Sequence, residues 1–383
     1  MNRTIIDIHA LQTVPPSNLN RDDTGSPKTA LFGGVTRARV SSQAWKRATR
    51  MMFRDLATDD LLGVRTRKVV ALLASKMLEI DPAIAQEQAE AAAIEILTAA
   101  GIKVAKPKAR KDEGEQLEEA GYLVFLSTAQ AKNLAQLAVD ALASGDVKTF
   151  VKDRENKKNI RAAAVQDASV DVSLFGRMVA DDASLNIDAA AQVAHAISVH
   201  DAPTEADYFT AVDDIREADE DGSEDAGAAM IGTIEFNSST LYRYATVDAN
   251  ALAANLGNDE ATRIGVEAFV RAFLTSMPSG KMNTFANRTL PEVVVVQVRD
   301  SQSVNLVGAF EEPVRGPHVS DQAAARLAAW SQNIDRKYGT TPVKSWVISL
   351  SDEVEELDKL GESTSLEALV TALGATVKSR LEA

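Results

Sequence analysis

The 383-residue sequence predicts an α+β fold of ferredoxin type, an antiparallel sheet with helices on one face. Three observations predict it. Strand and helix patterns interleave through both ends of the chain. A long alanine-rich helical block interrupts them between about 60 and 165. An apolar run, PEVVVVQVRD (291–300), has the look of a fully buried strand.

In chain order, residues 3–12 are Ile-rich and partly alternating, hence a strand. Residues 13–35 hold Pro15, Pro16, Gly25, Pro27, Gly33 and Gly34 and read as a long loop. TRARV (36–40) is a short strand, and Ser41 or Ser42 caps a helix running to about Ala57. Helical periodicity dominates 64–145, broken by a lysine-rich linker (103–116) and a short strand, YLVFLS. VDVSLF (170–175) reads as a strand returning to the sheet. The span 201–225 carries eleven acids and one base, Arg216, so its C-terminal part reads as a loop. GTIEFNSSTLYRYATV (232–247) is a strand, 248–257 and 258–276 are helices, and helices near 320–337 and 364–382 flank the strand KSWVISL (344–350).

Composition narrows the function. Hydrophobic residues make up 45% and charged residues 25%, enough to build a core. Cysteine is absent, which removes disulfides, thiolate nucleophiles and zinc–thiolate sites. No apolar run approaches the ~20 residues that span a bilayer, and the N-terminus reads as a strand, not a signal peptide. The expectation is a cytoplasmic protein with no membrane contact and no cofactor.

The net charge of −14 conceals an asymmetry. Residues 1–54 hold nine Lys/Arg against three acids, a net of +6, while the remainder carries −20. A polyanion is drawn to the first segment and repelled elsewhere. On a helical wheel from Ser42, Gln43, Lys46, Arg47, Arg50 and Arg54 share an arc of about 100°, with Ala44, Trp45, Ala48, Met51 and Met52 opposite and Phe53 as the one misfit. A solvated helix face usually mixes both signs; this one carries only cations and an amide, which points to an external anion. Upstream, Gly33-Gly34 permits close backbone passage, Arg37 and Arg39 alternate on one side of the strand, and Ser41 and Ser42 sit where helix amides form a phosphate seat. Loop, spaced arginines, serine pair and basic helix together fit a phosphodiester backbone, gripped with little sequence preference.

The segments LNRDD (19–23), LFGG (31–34), RARVSSQAWKRATR (37–50), LFGRM (174–178), AHAISVH (194–200), DYFTAVDD (207–214) and GTIEFNSSTLYRYA (232–245) resemble CasC-type backbone subunits of the type I-E CRISPR surveillance complex Cascade, in the RAMP superfamily. The resemblance covers most of the chain; in 60–165 it is one of character only. It implies a modified RRM-like palm (1–59, 166–177 and 231–383), a helical fingers insertion (60–165), and a protruding thumb with an acidic loop (178–230). The acidic stretch 216–229 looks longer than the family norm. It further implies an antiviral-defence role in which copies of the subunit form a helical oligomer along a CRISPR guide RNA (crRNA), beside other Cascade subunits and, through the guide, target DNA. On the motif positions, Arg21, Lys28, Gln43, Lys46, Arg47 and Arg50 would grip the RNA backbone. Met178, Phe209 and Thr210 would pack against bases. Arg39 and Ser41 join the RNA-binding set from the reading of the residues themselves.

Against an enzyme, the four histidines (His9, His195, His200, His318) fall in no metal or nucleophile motif, and no phosphate-loop motif for ATP is present. Structural roles are expected for them. The alternative is a metal-dependent ribonuclease using Asp22 or Asp23, an aspartate pair that could hold Mg²⁺ through a phosphate oxygen. The competing expectation is that both pair with Arg21 and Arg39 and merely shape the loop.

Overall fold

The structure is a computed structural model that describes residues 3–56, 62–107, 117–179, 182–211, 230–351 and 353–383. Strand β1 (Ile5–Ser17) leads through a loop to β2 (Thr29–Phe32), β3 (Val35–Val40) and helix α1 (Ser42–Leu56). A second block holds β4 (Gly63–Thr66), α2 (Val69–Ile80), α3 (Gln86–Ala99), β5 (Val104–Ala105), β6 (Glu119–Ala120), β7 (Val124–Ser127), α4 (Thr128–Ala143), α5 (Val147–Lys152) and α6 (Arg154–Ala163). Then come α7 (Val170–Phe175), β8 (Ala191–Val193), β9 (Ala196–Ser198), β10 (Glu205–Ala211) and β11 (Met230–Asp248). The chain closes with α8 (Ala249–Leu256), α9 (Asp259–Thr275), α10 (Met282–Phe285), β12 (Val293–Arg299), α11 (Val319–Tyr338), β13 (Lys344–Ser349), β14 (Glu362–Ser363) and α12 (Leu366–Leu381).

The main sheet runs β14-β13-β12-β1-β11-β9-β3-β2, with β8 and β10 also paired to β11. Every pairing is antiparallel except β13 with β14. The α+β class is borne out, with one correction: helices cover both faces. Ile6, Ile8 and Ala10 of β1 and Val294, Val296 and Val298 of β12 point into one core with Trp45, Phe269, Phe273 and Leu373. Leu11, Val293, Val295, Tyr242 and Tyr244 point into the other, under Ala324, Leu327 and Ala328 of α11. A strand buried on both faces loses alternation, which is why β12 reads as unbroken valine.

The block 60–165 has its own core, from Val69 and Leu73 of α2 through Ile96 and Leu134 to Val179 and Leu185. It is not purely helical: β4 pairs with β7, and β5 with β6. Residues 170–175 form helix α7 and not a strand; Val170 to Leu174 are all buried, so no period was legible. β8 and β9, inside the span assigned to the thumb, belong to the main sheet. The acidic stretch 216–229 and the linker from 108 to 116 lie outside the described residues.

His9 shows what the double-sided burial does to a polar residue. It is fully buried, its Nδ1 hydrogen-bonds the Tyr242 hydroxyl at 2.9 Å, and desolvation pushes its pKa down to about 3. The unfolded chain therefore binds one more proton than the folded chain between about pH 6.5 and 3, so this contribution to stability is complete above pH 6.5 and is lost as pH falls. In His9→Gln, the acid-side stability slope should flatten by about 1.4 kcal/mol per pH unit, one proton's worth. Denaturant titrations at pH 4.5 and 6 check it; an unchanged slope contradicts the assignment.

Candidate nucleic-acid interface

Helix α1 is held by one stripe and offers the opposite one. Ser41 is the cap: its Oγ accepts from the Ala44 N–H at 3.3 Å, and its own N–H donates to Asn20 Oδ1. The Ser42 N–H donates to His195 Nδ1 at 3.1 Å. Ser41 is buried and its hydroxyl oxygen accepts the capping bond, which gives it a structural role at the start of α1. Trp45, Thr49 and Phe53, at i, i+4 and i+8, face the core. Phe53 is thus no misfit: the buried stripe is centred on Thr49, and the Phe53 ring packs 6.1 Å from that of Phe175.

The outward stripe borders a groove of about 690 Å³. Gln43, Lys46, Arg47 and Arg50 line one side, Arg65 of β4 adds a further cation, and Met178 stands on the rim. Phe125, Phe175 and Leu123 supply apolar surface. The Arg50 guanidinium lies 5.3 Å from the centroid of the Phe125 ring, which braces it across the groove. Burial pushes the Lys46 ammonium below its ordinary pKa. Arg50 is shifted down by burial first; Asp171 opposes that, and Arg65, Arg54 and Arg47 add to it. Among the described residues no ion pair engages Lys46, Arg47 or Arg50. Asp171 turns one carboxylate oxygen, Oδ1, to the Gly63 N–H, the Ser169 hydroxyl and the Val172 N–H, all of which donate to it. Like charges are therefore crowded against an open groove, and among the described residues no carboxylate pairs with them directly, although the field of Asp171 favours the charged Arg50.

A second cationic group sits at the start of α1. Lys28 and Arg39 are half-exposed and tied by the Arg39 N–H to the Lys28 carbonyl at 2.9 Å, while Arg39 Nε donates to the Thr29 carbonyl. His195 is pushed below its ordinary pKa by partial burial, then by Arg39 and Lys28. Arg21 is exposed in the preceding loop. Arg37 and Arg39 share one side of β3 by parity, but only Arg39 reaches solvent. Arg37 is fully buried, and its guanidinium donates to the carbonyls of Phe32, Ser198, Phe310 and Glu311. Gly33 explains the close packing here: its φ is +61°, and a Cβ would meet the Glu311 carbonyl oxygen at 1.6 Å. With Gly34 at φ +78°, it makes the two-residue turn joining β2 to β3.

Asp22 shapes the loop, though not through arginines. Its Oδ1 accepts from the Thr24 N–H, the Thr24 hydroxyl and the Ser26 N–H, and these bonds, the hydroxyl first, lower its pKa. Among the described residues, no cluster of three or more His, Asp or Glu could hold a metal ion. His200 is likewise structural: its Nε2 accepts from the Thr240 N–H, and Nδ1 lies 2.7 Å from the Asp201 carbonyl.

Of the three residues expected to meet bases, Met178 is 79% exposed on the groove rim. Phe209 and Thr210 sit elsewhere, on β10, where Phe209 is paired with Gly232 and Thr210 with Ile231. The Phe209 ring lies over Gly232, where a Cβ would meet it at 2.5 Å. Sequence reasoning missed Arg65, Phe125 and Phe175. Arg65 was hidden inside a segment read as helix, and the two rings lay in short runs, YLVFLS and VDVSLF, read only as strands.

An α+β sheet carries a basic helix beside an aromatic groove that, among the described residues, no carboxylate lines, a form suited to a polyanion. Residues 6–372 match the model of the CT1975-like protein family, and the chain belongs to that family. Among solved structures, it is similar to a chain of a CRISPR RNA-guided surveillance complex in a pre-nicking state, at 32% identity and a TM-score of 0.84, covering 97% of this chain and 100% of that one. A chain of another CRISPR RNA-guided surveillance complex matches at 26% identity and a TM-score of 0.70, covering 96% and 99%. No curated protein matches the chain. The resemblance to CasC-type subunits, read from the motifs, is borne out. Among the described residues no helix is long and apolar enough to cross a membrane.

Proposed function

We propose that the chain is a guide-RNA-binding backbone subunit of a CRISPR surveillance complex. Copies line up along the RNA, grip its phosphates and leave its bases free to pair with target DNA. The observation that carries this reading is the groove in which Gln43, Lys46, Arg47, Arg50 and Arg65 converge with no ion-paired carboxylate, beside aromatic rings and an exposed methionine. Cations hold the backbone without reading sequence, and apolar side chains replace stacking lost where a base is displaced. Sequence specificity is then delegated to guide–target pairing, and repeated copies multiply weak contacts through effective concentration. The similar chains from RNA-guided complexes support the reading.

In this reading Phe209 and Thr210, on a different element from the groove, serve the RNA held by an adjacent copy. The other partners are further surveillance-complex subunits, and the working compartment is the cytoplasm. The subunit itself cuts nothing. Purification from the native host without nuclease should yield the protein with RNA of one defined length in near-constant ratio; protein free of RNA, or carrying RNA of random length, contradicts the proposal. Incubating that assembly with guide-complementary RNA and Mg²⁺ should leave the target intact. Cleavage abolished by Asp22→Ala or Asp23→Ala would replace the scaffold reading with a ribonuclease.

A further inference from the structure

Arg177 precedes the exposed Met178 and is nearly all buried, with no carboxylate at hydrogen-bond distance among the described residues. Its guanidinium is spent on oxygen acceptors from four segments. Nε donates to the Leu185 carbonyl at 2.8 Å, Nη2 to the Ala164 carbonyl at 2.9 Å, and Nη1 to the Phe125 carbonyl at 3.3 Å and Gln130 Oε1 at 3.1 Å. Burial lowers its pKa to about 10, so it remains charged at neutral pH. The backbone is fixed as well. Arg177 and Ile187 exchange both N–H···O bonds, the Val179 N–H donates to Asn186 Oδ1 at 2.7 Å, and Gly176 at φ +77° makes the turn into this bridge.

A lone exposed methionine makes a poor wedge, because its three rotatable bonds and an unbraced backbone would have to be ordered on binding. Here both backbone flanks are tied down, and the guanidinium joins the rim that bears Met178 to the carbonyl of Phe125, the ring against which Arg50 is braced. A buried cation hydrogen-bonded only to neutral oxygens is an expensive way to hold a turn. Its planar fork nonetheless reaches several segments at once, which a lysine ammonium does not do.

We propose that Arg177 is a positioning residue of the RNA groove, its guanidinium fixing Met178 relative to Phe125 so that the methionine meets a base in a set geometry. The proposal rests on the RNA-binding reading above. Its test uses the full chain and a labelled single-stranded RNA carrying 2-aminopurine, whose fluorescence rises when the base is unstacked. Met178→Ala should weaken binding about ten-fold, within the range for one stacked base, and reduce the fluorescence rise. Arg177→Lys keeps the charge and should keep the salt dependence, yet lose affinity and fluorescence to a similar extent. Combined with Met178→Ala it should add no further loss, since the two act as one unit. Asn186→Ala, at an exposed position, removes only the other brace, so it remains informative if Arg177→Lys does not fold. It should give a smaller loss that also vanishes in the Met178→Ala background. Losses that add fully to that of Met178→Ala, or a fluorescence rise unchanged in the brace variants, overturn the proposal. Wild-type chain that binds no RNA would instead overturn the reading on which it rests.

Discussion

Replacing Lys46 and Arg50 together by alanine should weaken RNA binding by two orders of magnitude or more at moderate salt. Hydrogen bonds to charged groups contribute about 1.5–3 kcal/mol each, and both side chains are half-buried at the groove, where their field is least screened. The sharper signature is the salt dependence. Each phosphate neutralised on a single strand contributes about 0.7 to the slope of log K against log salt, so the double variant should lose roughly 1.4 of slope. Arg54→Ala is the matched control. It removes a cation from the same helix, but Arg54 lines a different cavity, with Met51 and Asp55. Its slope should stay nearer the wild-type value. Equal slopes for wild type and the double variant would mean that these cations do not touch phosphate.

What the sequence reveals of this site and what it hides follow from one physical difference. Contacts within an element have a fixed period; contacts between elements do not. The cations of α1 were legible because a helix repeats every 3.6 residues. The glycine pair at 33–34 was legible because two successive positive φ angles favour that residue type. Arg37 and Arg39 look equivalent along the strand, and both lie on the same side of it by parity. One meets the carbonyls of Phe310 and Glu311, far along the chain, while the other reaches only its own hairpin partner. The second helical layer was partly visible, since four consecutive valines in β12 are apolar in both parities. Helix α7 and strand β4 were lost for lack of length: a run of four to six residues does not complete enough periods to separate helix from strand. Arg65 and Phe125 join the site only because β4 pairs with β7, a partnership between segments some sixty residues apart.

Trp45→Ala should be the most damaging single truncation in the basic helix, and it separates support from contact. The Trp45 side chain is 1% exposed, and its ring lies 3.8 Å from the guanidinium carbon of Arg243 on the sheet below. Arg243 is itself buried, with burial pushing its pKa down to about 9. It hydrogen-bonds Gln12 Oε1 and the Phe273 carbonyl, and stacks on the Phe273 ring as well. Removing the indole therefore opens a large cavity beneath α1 and strips one face from a buried cation. Loss of a buried aromatic costs about 3–5 kcal/mol, equivalent to a fall in melting temperature of about 4–6 °C for a chain of this size. Because the same stripe fixes α1 to the sheet, RNA affinity should fall with it, although Trp45 faces away from the groove. Arg47→Ala makes the complementary case: exposed at the groove edge and unpaired, it should reduce affinity while leaving the melting temperature within a degree or two. If Trp45→Ala kept wild-type stability and RNA binding, α1 would be held by something other than the Trp45–Thr49–Phe53 stripe, and the groove's geometry would no longer follow from the packing described.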